Sequence, residues 1–134
     1  KLFFNNIKTF VNFENSINKT GEKLNKILKK IKIQNKSIVG FGAPAKATTL
    51  MHKFKINSDL IDFIVDDNKL KQNLYMPETN IPIFPVSKIY SKKPDYILIL
   101  AWNFSNSICT NHKKYIQDGG KFIIPLPKVK VIES

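Results

Sequence analysis

A glycine-rich turn between an apolar run and a helical pattern is the part of the sequence best suited to chemistry. It reads Gly40-Phe41-Gly42-Ala43-Pro44-Ala45-Lys46. Two glycines permit a tight turn and close approach of a ligand to the backbone, and a following helix directs free N–H groups and a positive dipole end to the same place. With Lys46 nearby, the turn predicts a phosphate or carboxylate site. The alternative is that the glycines only permit the turn and Lys46 is solvated.

A second candidate is the acidic stretch Asp66-Asp67-Asn68, which ends another apolar run. Asp66 lies about 25 residues after Gly40, close to the position where an acidic residue binds a ribose hydroxyl in dinucleotide-binding folds. The alternative is a turn stabilised by its own Asp and Asn side chains. Ala45 takes the place of the third glycine in GxGxxG, so an NAD site remains open. No residue set for hydride transfer is visible.

Trp102 and Asn103 follow the strongest apolar run, residues 96–100. An indole can stack on a base or sugar, and a carboxamide can hydrogen-bond either one. The alternative is that Trp102 belongs to the core and Asn103 caps the next helix.

The remaining reactive side chains do not form a constellation. His52 and His112 lie inside helical patterns and are predicted to be surface or packing residues. Cys109 is predicted to be a buried small hydrophobe on a stripe shared with Phe104, Ile108 and Ile116. No nucleophile–base–acid set and no metal-ligand cluster emerges, so the sequence predicts neither a catalytic residue nor a metal site.

Alternating apolar runs and helical patterns predict the elements that position these residues. Buried strands are predicted at 37–41, 60–65, 96–100 and 121–124, and at most a short edge strand at 81–85, because its prolines lack the ladder donor. Helices are predicted at 45–54, with Pro44 in the first position, at 86–90 and at 104–117. Residues 68–80 are predicted to form a loop.

The predicted fold is α/β: a doubly wound, Rossmann-like parallel sheet of order 3-2-1-4-5 with helices on both faces, preceded by an N-terminal amphipathic helix. Ligands bind such sheets where the strand order reverses, which places the crevice between the glycine turn and Trp102. Residues 1–35 are predicted to be a helical connector and 36–134 the Rossmann-like domain. Gly21 is a candidate break in the helix. The apolar stripe of the connector is expected to pack on the sheet, to dock on a preceding domain, or to do both. It consists of Phe3, Ile7, Phe10, Ile17, Leu24, Leu28 and Ile31.

Length and composition set the broad class. A chain of 134 residues with 43% hydrophobic side chains accommodates one packed domain. The net charge of +12 suggests nucleic acid, but all 22 basic residues are lysines, and specific nucleic-acid sites rely on arginine. The single cysteine indicates a reducing, cytoplasmic setting, and no apolar run reaches the roughly 18 residues that span a bilayer. Because the chain starts at Lys1, we expect it to be part of a longer protein.

The turn also carries a family resemblance. Residues 39–50, VGFGAPAKATTL, resemble the GYGAxAKGNTLL motif in the C-terminal domain of C-methyltransferases that act on nucleotide-linked keto-sugars. The similarity continues in order through residues 61–68, Lys71-Gln72, 81–83, 94–103 and 119–125. Two departures are Ala47 in place of the usual glycine and Thr48 in place of the usual asparagine.

The resemblance implies a longer enzyme in which a cysteine-bearing zinc domain and an S-adenosylmethionine-binding methyltransferase domain precede this one. The methyl donor and the catalytic base would then belong to other domains, and this fragment would bind no cofactor and be inactive alone. Its partners would be the nucleotide-sugar substrate and the preceding methyltransferase domain. A stand-alone Rossmann module that binds NAD or another nucleotide is the alternative, and a nucleic-acid-binding basic domain ranks last. The expected substrate-binding residues are Gly40, Phe41, Gly42, Ala43, Pro44, Lys46, Asp66, Asn68, Trp102 and Asn103.

Overall fold

A computed structural model describes residues 2–134, with side chains described from residue 15 onward. Strands and helices alternate along most of the chain, as the change between apolar runs and helical periodicity indicates. The elements are α1 (Leu2–Ile33), β1 (Ile38–Phe41), α2 (Ala45–Lys53), β2 (Ile64–Val65), β3 (Tyr75–Met76), β4 (Ile81–Phe84), α3 (Lys88–Lys92), β5 (Tyr96–Ile99), a 3-10 helix (Trp102–Phe104), α4 (Ser105–Asn111), α5 (Lys113–Gln117), β6 (Lys121–Ile124) and β7 (Lys130–Ile132).

The strands form one mixed sheet in the order β3-β4-β2-β1-β5-β6-β7. Its five inner strands pair in parallel, in the predicted relative order. The expectation of an entirely parallel sheet is wrong at both edges, where β3 pairs antiparallel with β4 and β7 antiparallel with β6. Each edge pair is joined by a short connection, and short connections allow only antiparallel pairing. The chain is therefore an α/β protein with a mostly parallel sheet.

Strand β4 lies inside the sheet despite Pro82, which contradicts the prediction of an edge strand. The neighbouring Ile83 donates its N–H to the Leu74 carbonyl on the β3 side, at 2.9 Å. The Pro82 nitrogen, one residue earlier, points to the opposite side, toward β2. The pairing of β2 with β4 begins at Ile64, which lies opposite Ile83. Pro82 comes before this pairing, so the N–H group that proline lacks is not needed there.

Two hydrophobic clusters cover the sheet, and alternate strand residues belong to each of them. Leu98 of β5 and Leu100 directly after it belong to one cluster, and Ile97 and Ile99 of β5 to the other. Successive side chains of a strand point to opposite faces, so the clusters lie on opposite sides of the sheet. Helices α1 and α2 pack on the first face, that of Leu98 and Leu100. Helices α3, α4 and α5 pack on the second face, that of Ile97 and Ile99.

Helix α1 continues through Gly21, so the predicted break there is wrong. A Cβ atom at Gly21 would lie 2.3 Å from the ring of Phe54, which shows that the glycine admits this ring against the helix. Leu24, Leu28 and Ile31 are buried as predicted, and Ile17 packs against the same cluster. Each fully buried leucine or isoleucine contributes about 1.5–3 kcal/mol. Phe3, Ile7 and Phe10 lie outside the residues whose side chains the structure describes.

Other elements also differ from their predicted bounds. Strand β2 is shorter than the predicted strand 60–65, and α3 begins two residues after the start of the predicted helix 86–90. Helix α2 begins at Ala45, as predicted, and ends at Lys53, one residue before the predicted end. Pro44, with ψ 161°, is its cap residue and not its first helical residue. The predicted helix 104–117 is divided at His112, whose ψ of 38° separates α4 from α5. The predicted loop 68–80 contains β3. Its two residues are too short a run to show alternation in the sequence.

Candidate functional site

The turn after β1 brings the chain close to the end of β5. Gly42 has φ 93°, a left-handed conformation that favours glycine, and it donates its N–H to the Val65 carbonyl at 2.8 Å. A Cβ atom at Gly42 would lie 2.7 Å from the Cβ of Ala101. The glycine therefore provides both the backbone conformation and the space that join the ends of β1 and β5.

An open cleft of about 350 Å³ lies beside this turn, at the carboxyl ends of β1 and β5. The turn contributes Pro44, Ala45 and Lys46, and the segment after β5 contributes the rest of the wall. The structure thus brings together four of the expected site residues. The lining residues are Pro44, Ala45, Lys46, Leu100, Ala101, Trp102, Asn103 and Phe104.

The N-terminus of α2 offers hydrogen-bond donors to this cleft. The first N–H to bond within the helix is that of Ala47, which donates to the Pro44 carbonyl at 2.9 Å. The N–H groups of Ala45 and Lys46 precede it, and they have no acceptor among the described residues. The first turn of α2 contains no acidic side chain, and the Lys46 side chain is exposed. This end of the helix therefore suits an anion.

Other expected residues lie next to the cleft without lining it. Gly40 is inside β1, where a Cβ atom would meet Leu100 at 2.8 Å. Phe41 packs on the opposite face of the sheet, with its ring 5.3 Å from that of His112. Gly42 and Ala43 are buried in the turn. These residues shape the turn rather than form the cleft wall.

Asp66 and Asn68 support the turn from the β2 side. The Asp66 carboxylate accepts the Ala43 N–H and the Asn68 N–H, both at 2.8 Å. The Asn68 amide oxygen accepts the Leu70 N–H at 3.0 Å. The bonds from the Asn68 and Leu70 N–H groups are those of two consecutive turns held by Asp and Asn side chains. The arrangement matches the turn interpretation of this stretch, and it adds a link from Asp66 to the glycine turn.

Three residues of this region were missed in the sequence. Lys71 donates to the Ala43 carbonyl at 2.7 Å, and Gln72 donates to the Asp66 carbonyl at 2.9 Å. The place of both within the family pattern was the available signal. Phe104 lines the cleft with 65% of its surface exposed, so its predicted place on the buried stripe of Cys109 is wrong. An aromatic residue soon after a strand end was its signal.

His112 and Tyr90 form a pair on the second face of the sheet. The Tyr90 hydroxyl lies 2.7 Å from His112 Nδ1. Burial lowers the pKa of His112, an effect that the nearby Asp67 carboxylate partly offsets. Burial, and to a smaller extent the charge of Asp118, raises the pKa of Tyr90. His112 is half-buried, as a packing residue would be.

The other reactive side chains do not join the cleft. His52 is exposed on α2, as predicted, and Cys109 is half-buried, with a thiol whose pKa burial raises. Within the described range, no group of three or more His, Cys, Asp or Glu side chains stands close enough to hold a metal ion. The helices of the described chain include none that is long and apolar enough to cross a membrane.

The chain matches a family model and a known protein. The family model described as C-methyltransferase C-terminal domain matches residues 1–127. The chain is also 32% identical over 111 residues to the C-methyltransferase NovU of Streptomyces niveus, an alignment that covers 83% of this chain. The chain spans about a quarter, 26%, of that relative's length.

Proposed function

We propose that this chain, which belongs to the family of C-methyltransferase C-terminal domains, anchors the substrate of a larger enzyme. The enzyme would be an S-adenosylmethionine-dependent C-methyltransferase, and the substrate a nucleotide-linked keto-sugar. The observation that carries the proposal is the cleft beside the glycine turn. There the free N–H groups of Ala45 and Lys46 share one concavity with two aromatic side chains. A sugar nucleotide presents the matching groups, namely a diphosphate, a sugar and a base.

Each part of the cleft has a counterpart in such a substrate. The N-terminus of α2 and the Lys46 ammonium would bind the diphosphate, because backbone donors, helix dipole and side-chain charge all favour an anion there. Trp102 and Phe104 offer flat faces for stacking on the base or the sugar, and Asn103 offers an amide. The cleft volume of about 350 Å³ is near the lower end of ligand pockets, about 300–1,000 Å³, so part of the substrate would extend beyond it.

The proposal places the methyl donor outside this chain. In dinucleotide-binding sheets of this kind, an acidic group at the end of β2 accepts a hydrogen bond from the adenosine ribose. Here the Asp66 carboxylate already accepts the N–H groups of Ala43 and Asn68. The same commitment argues against the NAD-binding alternative. We therefore assign no step of methyl transfer to this chain, and we expect it to lack methyltransferase activity by itself.

Further features belong to the same proposal. Residues 1–35 would connect to the preceding methyltransferase domain, and 36–134 would form the substrate domain. The order of the five parallel strands and the helices on both faces support a doubly wound, Rossmann-like classification. The single Cys109 supports a reducing, cytoplasmic setting. Neither nucleic acid nor a membrane is a proposed partner.

Replacement of Lys46 tests the proposal. In the full-length protein, Lys46→Met should weaken sugar-nucleotide binding about 10-fold at fixed salt, which corresponds to about 1.4 kcal/mol. Isothermal titration calorimetry measures this loss, and the affinity for S-adenosylmethionine should stay unchanged. Lys53→Met is the matched control, because Lys53 is exposed at the other end of the same helix.

The control separates a local contact from the general positive field. Equal losses from Lys46→Met and Lys53→Met would show that only the net charge of the chain matters. Unchanged affinity in Lys46→Met would contradict a diphosphate at the N-terminus of α2.

A further inference from the structure

The backbone of Ala43 is held on both sides by the loop that follows β2. Its N–H donates to the Asp66 carboxylate at 2.8 Å, and its carbonyl accepts a hydrogen bond from the Lys71 ammonium at 2.7 Å. Asp66 and Lys71 are half-buried and do not form a direct ion pair. Two opposite charges thus meet the two polar groups of one residue.

The loop that carries these charges is itself anchored. Gln72 donates to the Asp66 carbonyl at 2.9 Å, which ties the two ends of the loop together. The Asn73 N–H donates to the Ile83 carbonyl of β4 at 2.8 Å, and the Asp66 N–H to the Phe84 carbonyl at 3.0 Å. The side chains that reach Ala43 therefore start from a backbone that the sheet holds in place.

Ala43 immediately precedes Pro44, the cap residue of α2. The orientation of the Ala43 backbone decides where α2 begins and where the free N–H groups of Ala45 and Lys46 point. A carboxylate at this turn would also repel an anionic ligand, and the Lys71 ammonium beside the same residue offsets that charge. The pair therefore holds the turn without leaving a net negative charge next to it.

We infer that Asp66 and Lys71 are positioning residues that clamp Ala43 and thereby aim the N-terminus of α2 at the substrate diphosphate. The effect on ligand binding rests on the proposed function, whereas the clamp is a property of the ligand-free protein. Lys71 acts through Ala43, so its removal loosens the turn, weakens substrate binding and leaves the chemical step unchanged.

Hydrogen exchange of the ligand-free, full-length protein tests the clamp by itself. Lys71→Met should speed exchange about 10-fold at the amides of Ala43 and Ala47, measured by mass spectrometry on overlapping peptides. Lys71→Arg keeps a charged donor and should restore slow exchange. Lys69→Met, at an exposed lysine of the same loop, is the control. Unchanged exchange in Lys71→Met would overturn the clamp.

Steady-state kinetics of the same variants test its consequence. With the sugar nucleotide as the varied substrate, Lys71→Met should raise KM about 10-fold and leave kcat within about 2-fold, and Lys71→Arg should return KM to the wild-type value. A fall in kcat with unchanged KM would overturn the positioning role. Loss of affinity in Lys46→Met but not in Lys71→Met would also overturn it, while the proposed function would stand. A third outcome is unchanged sugar-nucleotide affinity in both Lys46→Met and Lys71→Met, with faster hydrogen exchange in Lys71→Met. This result would overturn the proposed diphosphate site, while the clamp itself would stand.

Discussion

Replacement of Gly42 by alanine should destabilise the chain through two separable effects. The residue has φ 93°, and an L-residue in the left-handed region costs about 1–2 kcal/mol. The new Cβ would also lie 2.7 Å from the Cβ of Ala101, and overpacking of this kind costs about 1–3 kcal/mol. We therefore expect Gly42→Ala to lower the free energy of unfolding by about 2–5 kcal/mol, the sum of both costs.

Gly119 provides a matched control, because it shares the conformation but not the contact. Its φ is 101°, and an added Cβ would meet no heavy atom within 4 Å. Gly119→Ala should therefore cost only the conformational part, about 1–2 kcal/mol. Urea denaturation followed by far-UV circular dichroism measures both losses, with the m-value checked for constancy.

A second substitution isolates the contact between the two strand ends. Ala101→Gly removes the Cβ that faces residue 42. Its cost in free energy of unfolding should therefore be smaller in the Gly42→Ala background than in the wild type, by at least about 1 kcal/mol. Equal losses for Gly42→Ala and Gly119→Ala, or additive effects of the two changes at 42 and 101, would refute a close approach of the β1 and β5 ends.

Three further predictions follow from side chains outside the cleft. Gly21→Ala should destabilise the chain by about 1–3 kcal/mol in urea denaturation, because its Cβ would meet the Phe54 ring; a gain of stability, as helix propensity alone predicts, would contradict this packing. Burial lowers the pKa of His112 below its ordinary 6.5, so the unfolded chain binds more protons near that pH. The stability contributed by the neutral ring should be present above pH 6.5 and lost as the pH falls below it, and His112→Phe should reduce the fall in thermal midpoint between pH 7.5 and 5.5; an identical fall in both proteins would count against it. Tyr115→Phe should cost about 1 kcal/mol in the same urea assay, because the buried hydroxyl donates to the Pro94 carbonyl at 2.8 Å; no loss would mean that this bond adds nothing.

The fold was predictable where a segment is buried on both faces of the sheet. The apolar runs of β1 and β5 contain no polar residue and are bounded by turns, so each indicates an inner strand. Strands β3 and β7 were not predicted, because two or three partly exposed residues show no period. Gly21 was misread because helix propensity is a local quantity, whereas the ring of Phe54 that occupies the space comes from a residue 33 positions later.

The candidate site, too, was predictable only in part. The glycine turn, the start of α2 and the place of Trp102 and Asn103 beside it could be predicted, because strand order and the rule for ligand sites follow from the pattern of elements. Gly40 and Phe41 were expected to bind the substrate. Their positions relative to the cleft could not be predicted, because the face toward which each residue points depends on the register of the sheet. The structure places both outside the cleft wall.

The position of the turn follows from local residues, because Gly42 and Pro44 act on their own backbone. The contacts that hold the turn in place come from distant parts of the chain and are visible only in the folded structure. The partners of Ala43 are Asp66 and Lys71, which lie 23 and 28 residues away along the chain. They meet it because β2 pairs beside β1, and the alignment of two strands depends on the core packed around them rather than on the residues next to the turn.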